Sequence, residues 1–258
     1  MSIVGAGPGD PEFLTIKGFK ALRSADVILF DALLDPEYQS LFPHDAEAVY
    51  IGKRSHNHTL PQEGINEKLY EYAAKGYHVV RLKGGDPFLF GRGGEEALYL
   101  EERGIPFQII PGVSALNGIG GNCGVPLTHR GISRKVMVLE GHSLFCQPHD
   151  WHYLARFDGT IVIFMAKRKC REVAKKLVTH GAREDLPICL IETTDGIQHT
   201  TFSNLKEMEH LKIFYTDGPG IIYIGEVVNL AHKLQTAEPQ FYKSIATGSD
   251  PRWASLPF

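Results

Sequence analysis

The sequence predicts an α/β chain built as two α/β halves with a cleft between them. Three observations predict it. Short β-branched runs alternate with helical patterns through the first half, a second such series follows a polar connector, and glycine clusters stand at the ends of predicted strands.

In chain order, Ile3–Gly5, Asp26–Phe30, Ala48–Gly52, His78–Lys83 and Phe107–Ile110 read as strands. Helical patterns fall at Thr15–Ser24, Gln62–Lys75, Gly93–Arg103 and Ser114–Asn122. Five strands complete a small parallel sheet near Arg130. Thr128–Ser133 has the composition of a connector, which divides the chain into a first unit, 1–131, and a second, 132–236. The second unit offers strands at Lys135–Glu140, Thr160–Met165, Ile188–Glu192 and Ile221–Val228, with helices at Asp150–Phe157 and Lys169–His180. From residue 237 to 258 the chain carries Pro239, Pro251 and Pro257 with little periodicity and reads as a tail. Two α/β units on one short link leave a cleft, and the active site is expected there.

Composition excludes several classes. With 43% hydrophobic and 22% charged residues the chain has an ordinary globular mixture. No run of eighteen apolar residues predicts a spanning helix, so no membrane association is expected. Met1–Gly5 enters a strand with neither a basic nor an apolar leader, which gives no secretory signal. Cys123, Cys146, Cys170 and Cys189 form no C-x-x-C pair, so reduced thiols and a cytoplasmic setting are expected. His56 with His58, and His142, His149 and His152, have no acidic or cysteine partner at ligand spacing, and no metal is predicted. A net charge of −3 argues against a nucleic-acid partner. It also means that an acidic substrate must meet cations gathered locally.

Gly5-Ala6-Gly7-Pro8-Gly9-Asp10 follows a strand and precedes a helix, yet its third glycine falls one position too early for G-x-G-x-x-G. Pro8 removes an N–H, and Asp10-Pro11 reads as the cap and first turn of a later helix. The loop therefore turns away before a helix N-terminus can meet a phosphate. Asp31, closing the second strand, also stands where an oxidoreductase places its ribose-binding acid. A nicotinamide enzyme thus stays open as a competing reading.

A second cluster is more specific. Arg81-Leu82-Lys83-Gly84-Gly85-Asp86-Pro87-Phe88-Leu89-Phe90-Gly91-Arg92-Gly93-Gly94-Glu95-Glu96 places five glycines within eleven positions after the fourth strand. Such density at a carboxyl strand end suits close approach of a ligand to backbone. Arg92 and Glu95, three apart at a helix start, share a face. Glu96 points about 100° away and reads as a surface partner.

Together with Ile51–Arg54, Pro61-Gln62, Ile65-Asn66 and Pro126–Arg130, these motifs resemble the uroporphyrinogen-III C-methyltransferase family of the tetrapyrrole methylase superfamily, over about residues 2–230. The resemblance implies a tetrapyrrole methylase-like fold with a mainly parallel first sheet and a mixed second sheet, working as a homodimer. It implies transfer of methyl groups from S-adenosyl-L-methionine to two pyrrole carbons of uroporphyrinogen III, C2 and C7, giving S-adenosyl-L-homocysteine and precorrin-2 for sirohaem or cobalamin biosynthesis. By family position the cofactor meets Pro8, Gly84, Gly85, Asp86, Leu89, Ser114, Ala115 and Met165, with further contacts near Thr194 and Gly220. Gly84 and Gly85 would admit the methionyl carboxylate, and Asp86 would face its ammonium. Asp31 and Lys53 match the family's proton acceptor and donor, the alternative being an Asp31–Lys53 ion pair that shapes the cleft. Arg92, Glu95 and Arg130 match positions for substrate binding or catalysis, where an arginine fork suits carboxylates.

The chain departs from the pattern at Thr193-Thr194, where the family usually has a glycine, and at Gly64, where an acid is common. The β-branched threonine is expected to crowd the adenosine. The extra amino-terminal domain of fused sirohaem synthases is not seen, so oxidation and iron insertion are not expected of this stretch. A later precorrin methyltransferase of the same fold and a non-catalytic relative are the remaining alternatives.

Overall fold

The computed structural model describes residues 1–52, 61–146, 150–194 and 197–234. The first half carries five strands, β1 (Ser2–Gly7), β2 (Val27–Phe30), β3 (Glu47–Tyr50), β4 (Val79–Gly84) and β5 (Gln108–Ile110). Every pairing is parallel, in the order β3-β2-β4-β1-β5. β1 and β2 are buried along their whole length, which accounts for their unbroken apolar runs. Alternate residues feed two cores: Val4, Ile28, Val80 and Leu82 on one face, Ile3, Val27, Leu29 and Val79 on the other.

Helices α1 (Ile16–Arg23), α2 (Gln62–Ala74), α3 (Gly93–Glu101) and α4 (Ala115–Asn122) complete this half. The opening loop behaves as its residues dictate. Asp10 caps a short 3-10 turn, Pro11–Phe13, by accepting from Glu12 N at 2.7 Å, and α1 starts only after Thr15 accepts from Gly18 N.

The second half has β6 (Val136–Glu140), β7 (Thr160–Phe164), β8 (Pro187–Thr194), β9 (Ile197–Asn204) and β10 (Gly220–Ile224). Their order is β6-β7-β10-β8-β9; only β6 and β7 pair in parallel, so the sheet is mixed, as expected. Helices α5 (Gly141–Cys146), α6 (Trp151–Ala155), α7 (Cys170–Thr179) and α8 (Leu205–His210) accompany it. One face is covered by a core that includes Leu144, Trp151, Val173, Leu177 and Met208. The other face receives Ile119 from α4 and Val125 of the first half against Val162, Ile191, Ile221 and Tyr223. Tyr223 fixes the junction by donating its hydroxyl to the carbonyls of Ala115 at 3.1 Å and Leu116 at 3.2 Å.

Two expectations need correction. The strand expected over Ile221–Val228 stops at Ile224, where Gly225 (φ 134°) leads into a 3-10 turn, Glu226–Leu230. β9, unforeseen, extends the strand Ile188–Glu192 into a hairpin reaching Thr194. The stretch Thr128–Ser133 is a tight turn closed by paired backbone hydrogen bonds between His129 and Ser133, with Gly131 at φ +81°. The tail, 237–258, lies outside the described residues.

Candidate active site

Three glycines from three strand ends meet at the carboxyl edge of the first sheet. A Cβ placed on Gly5 would lie 2.5 Å from Gly112 N and 2.7 Å from Gly85 O, and one on Gly112 would lie 2.4 Å from Gly85 O. Only bare backbone fits there. Gly7 and Gly85 exchange backbone hydrogen bonds at 3.2 and 2.8 Å, and Gly85 takes φ +68°. Asp86 locks the cradle from beside it: Oδ1 accepts from Phe88 N at 2.9 Å and Oδ2 from Gly112 N at 3.1 Å.

Most of the expected cofactor residues gather around this junction. A Cβ on Gly84 would press on Leu33 at 2.9 Å, and one on Gly85 would come within 4.0 Å of Ala115 N. Ser114 caps α4 by accepting from Leu116 N at 3.1 Å, and the Pro8 ring leaves no room for a side chain at Gly118. From the second sheet, the Thr193 methyl lies 3.9 Å from where a Gly9 Cβ would stand, so the hairpin reaches the opening loop. Among the described residues the buried Thr194 hydroxyl has no hydrogen-bond partner. Gly220, paired with Glu192, packs against Lys167 just beyond Met165. The open space beside Gly85, where nothing comes nearer to a would-be Cβ than Ala115 N at 4.0 Å, suits close approach of a ligand to backbone.

Beside the cradle a cleft of about 660 Å³ opens between the halves, lined by Phe88, Phe90, Arg92 and Glu95 on one side and by Glu140 and Met165 on the other. Phe90, Arg92 and Met165 are also the non-glycine residues with left-handed backbone among the described residues, at φ 55°, 59° and 56°. Such a conformation costs on the order of 1–2 kcal/mol per residue and persists where surrounding structure enforces it, often at functional sites. Phe88, Phe90 and Met165 present apolar surface to solvent, 61%, 40% and 45% exposed. Phe90 stacks at a tilt on Phe164, which couples the two walls. Leu89 is half-buried in the same loop.

Arg92 precedes α3 and grips Glu95 with two hydrogen bonds, Nε to Oε1 at 2.8 Å and Nη2 to Oε2 at 2.6 Å, in a half-exposed pair. Each holds the other charged: the hydrogen bond to Arg92 lowers the Glu95 pKa, and that to Glu95 raises the Arg92 pKa. Arg130 stands exposed in the connector, and among the described residues no hydrogen bond or ion pair joins it to Arg92 or Glu95. Lys53 lies outside the described residues.

Asp31 lines a second, smaller hollow of about 160 Å³ with Asp35, Tyr38 and Tyr50, two residues from Leu33, which packs on Gly84. Its partner is Arg81, at 3.0 Å, and its other oxygen accepts from Leu33 N at 3.1 Å. Glu96 is the clearest correction. Expected at the surface, it is 0% exposed and binds Arg81 and Lys83 at 3.2 and 2.7 Å. The inner face of α3 is set by Gly93, Ala97 and Leu100, and Glu96 shares it at the i+3 and i−4 positions. Arg81 and Lys83, two apart on a fully buried strand, were the signal: cations at alternate positions of a central strand demand buried counter-charges. Burial, against the help of Glu96, lowers the Lys83 pKa.

Among the described residues no group of three or more His, Cys, Asp and Glu side chains is placed to hold a metal, and no helix is long and apolar enough to cross a membrane.

Comparison with known proteins supplies the context. The family described as Tetrapyrrole (Corrin/Porphyrin) Methylases matches residues 1–208. Siroheme synthase 1 of Pectobacterium atrosepticum is 41% identical over 239 residues, which span 91% of this chain and 49% of that protein. The chain thus spans about half the length of the curated relatives it matches. Among solved structures, uroporphyrin III C-methyl transferase from Thermus thermophilus is similar in its native form and in a complex with S-adenyl homocysteine. Each superposes with a TM-score of 0.74 at 35% identity, covering 89% of this chain and 98% of that one. A match over this length, with this fold, shows that the chain belongs to the tetrapyrrole (corrin/porphyrin) methylases.

Proposed function

We propose that this chain is an S-adenosylmethionine-dependent C-methyltransferase that methylates uroporphyrinogen III at C2 and C7 to give precorrin-2, acting in the cytoplasm as a homodimer. The observation that carries the reading is the juxtaposition of the glycine cradle with a cleft that is apolar on its walls and holds an arginine fork. The Thermus complex with S-adenyl homocysteine supports a donor of this class.

When bound, the donor supplies a methyl group on a positively charged sulfur. Backbone around Gly84, Gly85 and Ala115 would hold it, while Pro8, Asp86, Leu89, Ser114, Met165, Thr194 and Gly220 shape and close its surroundings. The electron-rich pyrrole carbon forms the new C–C bond as the S–C bond breaks, which leaves that carbon quaternary, and the macrocycle discharges its positive charge by losing a proton from another of its atoms. Holding the two reactants in line supplies much of the rate. Arg92 and Arg130 would take the macrocycle's carboxylates, with Glu95 keeping Arg92 oriented until they arrive. Asp31 would accept the proton and Lys53 donate one. Asp31 is supported in this by its place at the carboxyl edge of β2, beside β4.

Incubating the chain with uroporphyrinogen III and methyl-labelled S-adenosylmethionine tests the proposal. A dimethylated tetrapyrrole carrying two labels is expected. Binding of S-adenosylhomocysteine without label transfer, or transfer only to a more highly methylated precursor, contradicts it.

A further inference from the structure

Beneath the site, four charged side chains form one connected network. Arg81 is its centre: Nε donates to Glu96 Oε1 at 3.2 Å, Nη2 to Asp31 Oδ2 at 3.0 Å, and Nη1 to the Leu82 carbonyl at 2.9 Å. Glu96 Oε1 also accepts from Lys83 Nζ at 2.7 Å and from Gln62 Nε2 at 3.4 Å. The side chains of Arg81, Lys83 and Glu96 are 4%, 5% and 0% exposed, whereas Asp31 is 22% exposed. The network therefore reaches solvent mainly at one carboxylate.

Its design is poorly explained by stability. Burying ions costs several kcal/mol each, and apolar side chains of similar volume often serve as well. Among the described residues the buried Glu96 Oε2 has no hydrogen-bond partner, and Arg81, Lys83 and Gln62 all donate to Oε1. What the arrangement does achieve is geometric. A guanidinium is planar and rigid, and with Nε and Nη1 both engaged its plane is fixed. The remaining nitrogen then fixes Asp31 Oδ2, while Leu33 N fixes Oδ1.

We propose that Arg81 is the positioning residue of Asp31, a guanidinium anchored from behind by Glu96 that sets the carboxylate's orientation at the sheet edge. The inference rests on the reading of Asp31 as proton acceptor. Neither Arg81 nor Glu96 touches the reactants; both act through Asp31.

The test is steady-state kinetics on the full chain carrying Arg81→Gln, Arg81→Lys, Asp31→Asn, or Asp31→Asn with Arg81→Gln. Arg81→Gln is expected to lower kcat about tenfold or more while both KM values stay within about twofold. Arg81→Lys, which keeps the charge without the fork, recovers part of the loss. The double variant is no slower than Asp31→Asn alone, because both changes disable one unit. Full kcat in Arg81→Gln, or losses that multiply in the double variant, overturns the proposal. Should Arg81→Gln not fold, Arg81→Lys decides: reduced kcat at constant KM supports the role, and unchanged kcat overturns it. Wild-type kcat in Asp31→Asn refutes the acceptor reading itself, which separates that failure from a failure of Arg81 beside an essential Asp31.

Discussion

Replacing Gly5 by alanine adds one methyl group at the point where the ends of β1, β4 and β5 converge. The new carbon would stand 2.5 Å from Gly112 N, 2.6 Å from Gly112 Cα and 2.7 Å from Gly85 O, all of them backbone atoms. Real contacts of this kind essentially never fall below 3.0 Å, so a strand end must move. Overpacking of this sort costs about 1–3 kcal/mol. For a chain of this size that lowers Tm by about 2–4 °C per kcal/mol. The part that moves is the backbone proposed to hold the donor, so S-adenosylhomocysteine affinity should fall at least about tenfold, or ~1.4 kcal/mol. Calorimetric titration of the ligand and a thermal melt measure both. Gly121→Ala is the control: on α4, with nothing within 4 Å of its would-be Cβ, it should gain about 0.5–1 kcal/mol and leave the ligand's Kd unchanged. Gly5→Ala with unchanged Tm and Kd refutes the crowding argument, and lost stability with intact affinity refutes the placement of the donor.

Arg92→Lys keeps a cation but loses the fork, so KM for the macrocycle should rise about tenfold in steady-state assays while stability stays within about 0.5 kcal/mol, the pair with Glu95 being half-exposed. Tyr223→Phe removes the hydroxyl that ties α4 to the second sheet, with an expected loss of about 1 kcal/mol in denaturant unfolding and weaker binding of S-adenosylhomocysteine. Burial pushes the Cys170 thiol up to about 12, above its ordinary value of 9.0. Its contribution to stability is therefore intact below the unfolded-state value and is lost as pH rises from about 9 towards about 12. Cys170→Ala should flatten the fall of stability over that window in pH-dependent melts, and an unchanged slope counts against it. In thiol labelling of the folded chain, exposed Cys146 should react while buried Cys170 and Cys189 wait for unfolding.

Within the first sheet β1 and β2 were the most legible, because they are buried on both faces and read as short apolar runs between turn residues. The glycine junction was legible in part: the motif at Gly84–Asp86 stood out, but Gly112 is a single glycine in Ile110–Val113 whose partners come from β1 and β4, distant in sequence. β9 escaped because Ile197–Asn204 is polar and only partly buried, although Asp195-Gly196 between two β-branched runs is a hairpin signal. Glu96 was misplaced because the face of α3 was inferred from Arg92 and Glu95 rather than from Ala97 and Leu100. Charge alone suggests solvent; only the pairing across from β4 shows where the carboxylate lies. Thr193 and Thr194 are reached by the hairpin as its register demands, and the methyl of Thr193 packs towards Gly9.

The central claim is that backbone at Gly84, Gly85 and Ala115 receives the methyl donor next to the arginine-bearing cleft. A crystal structure of the chain with S-adenosylhomocysteine tests it most directly. The account predicts the ligand in that junction with a polar group on the backbone of Gly84, Gly85 or Ala115, and a ligand seated elsewhere, or none at saturating concentration, contradicts it.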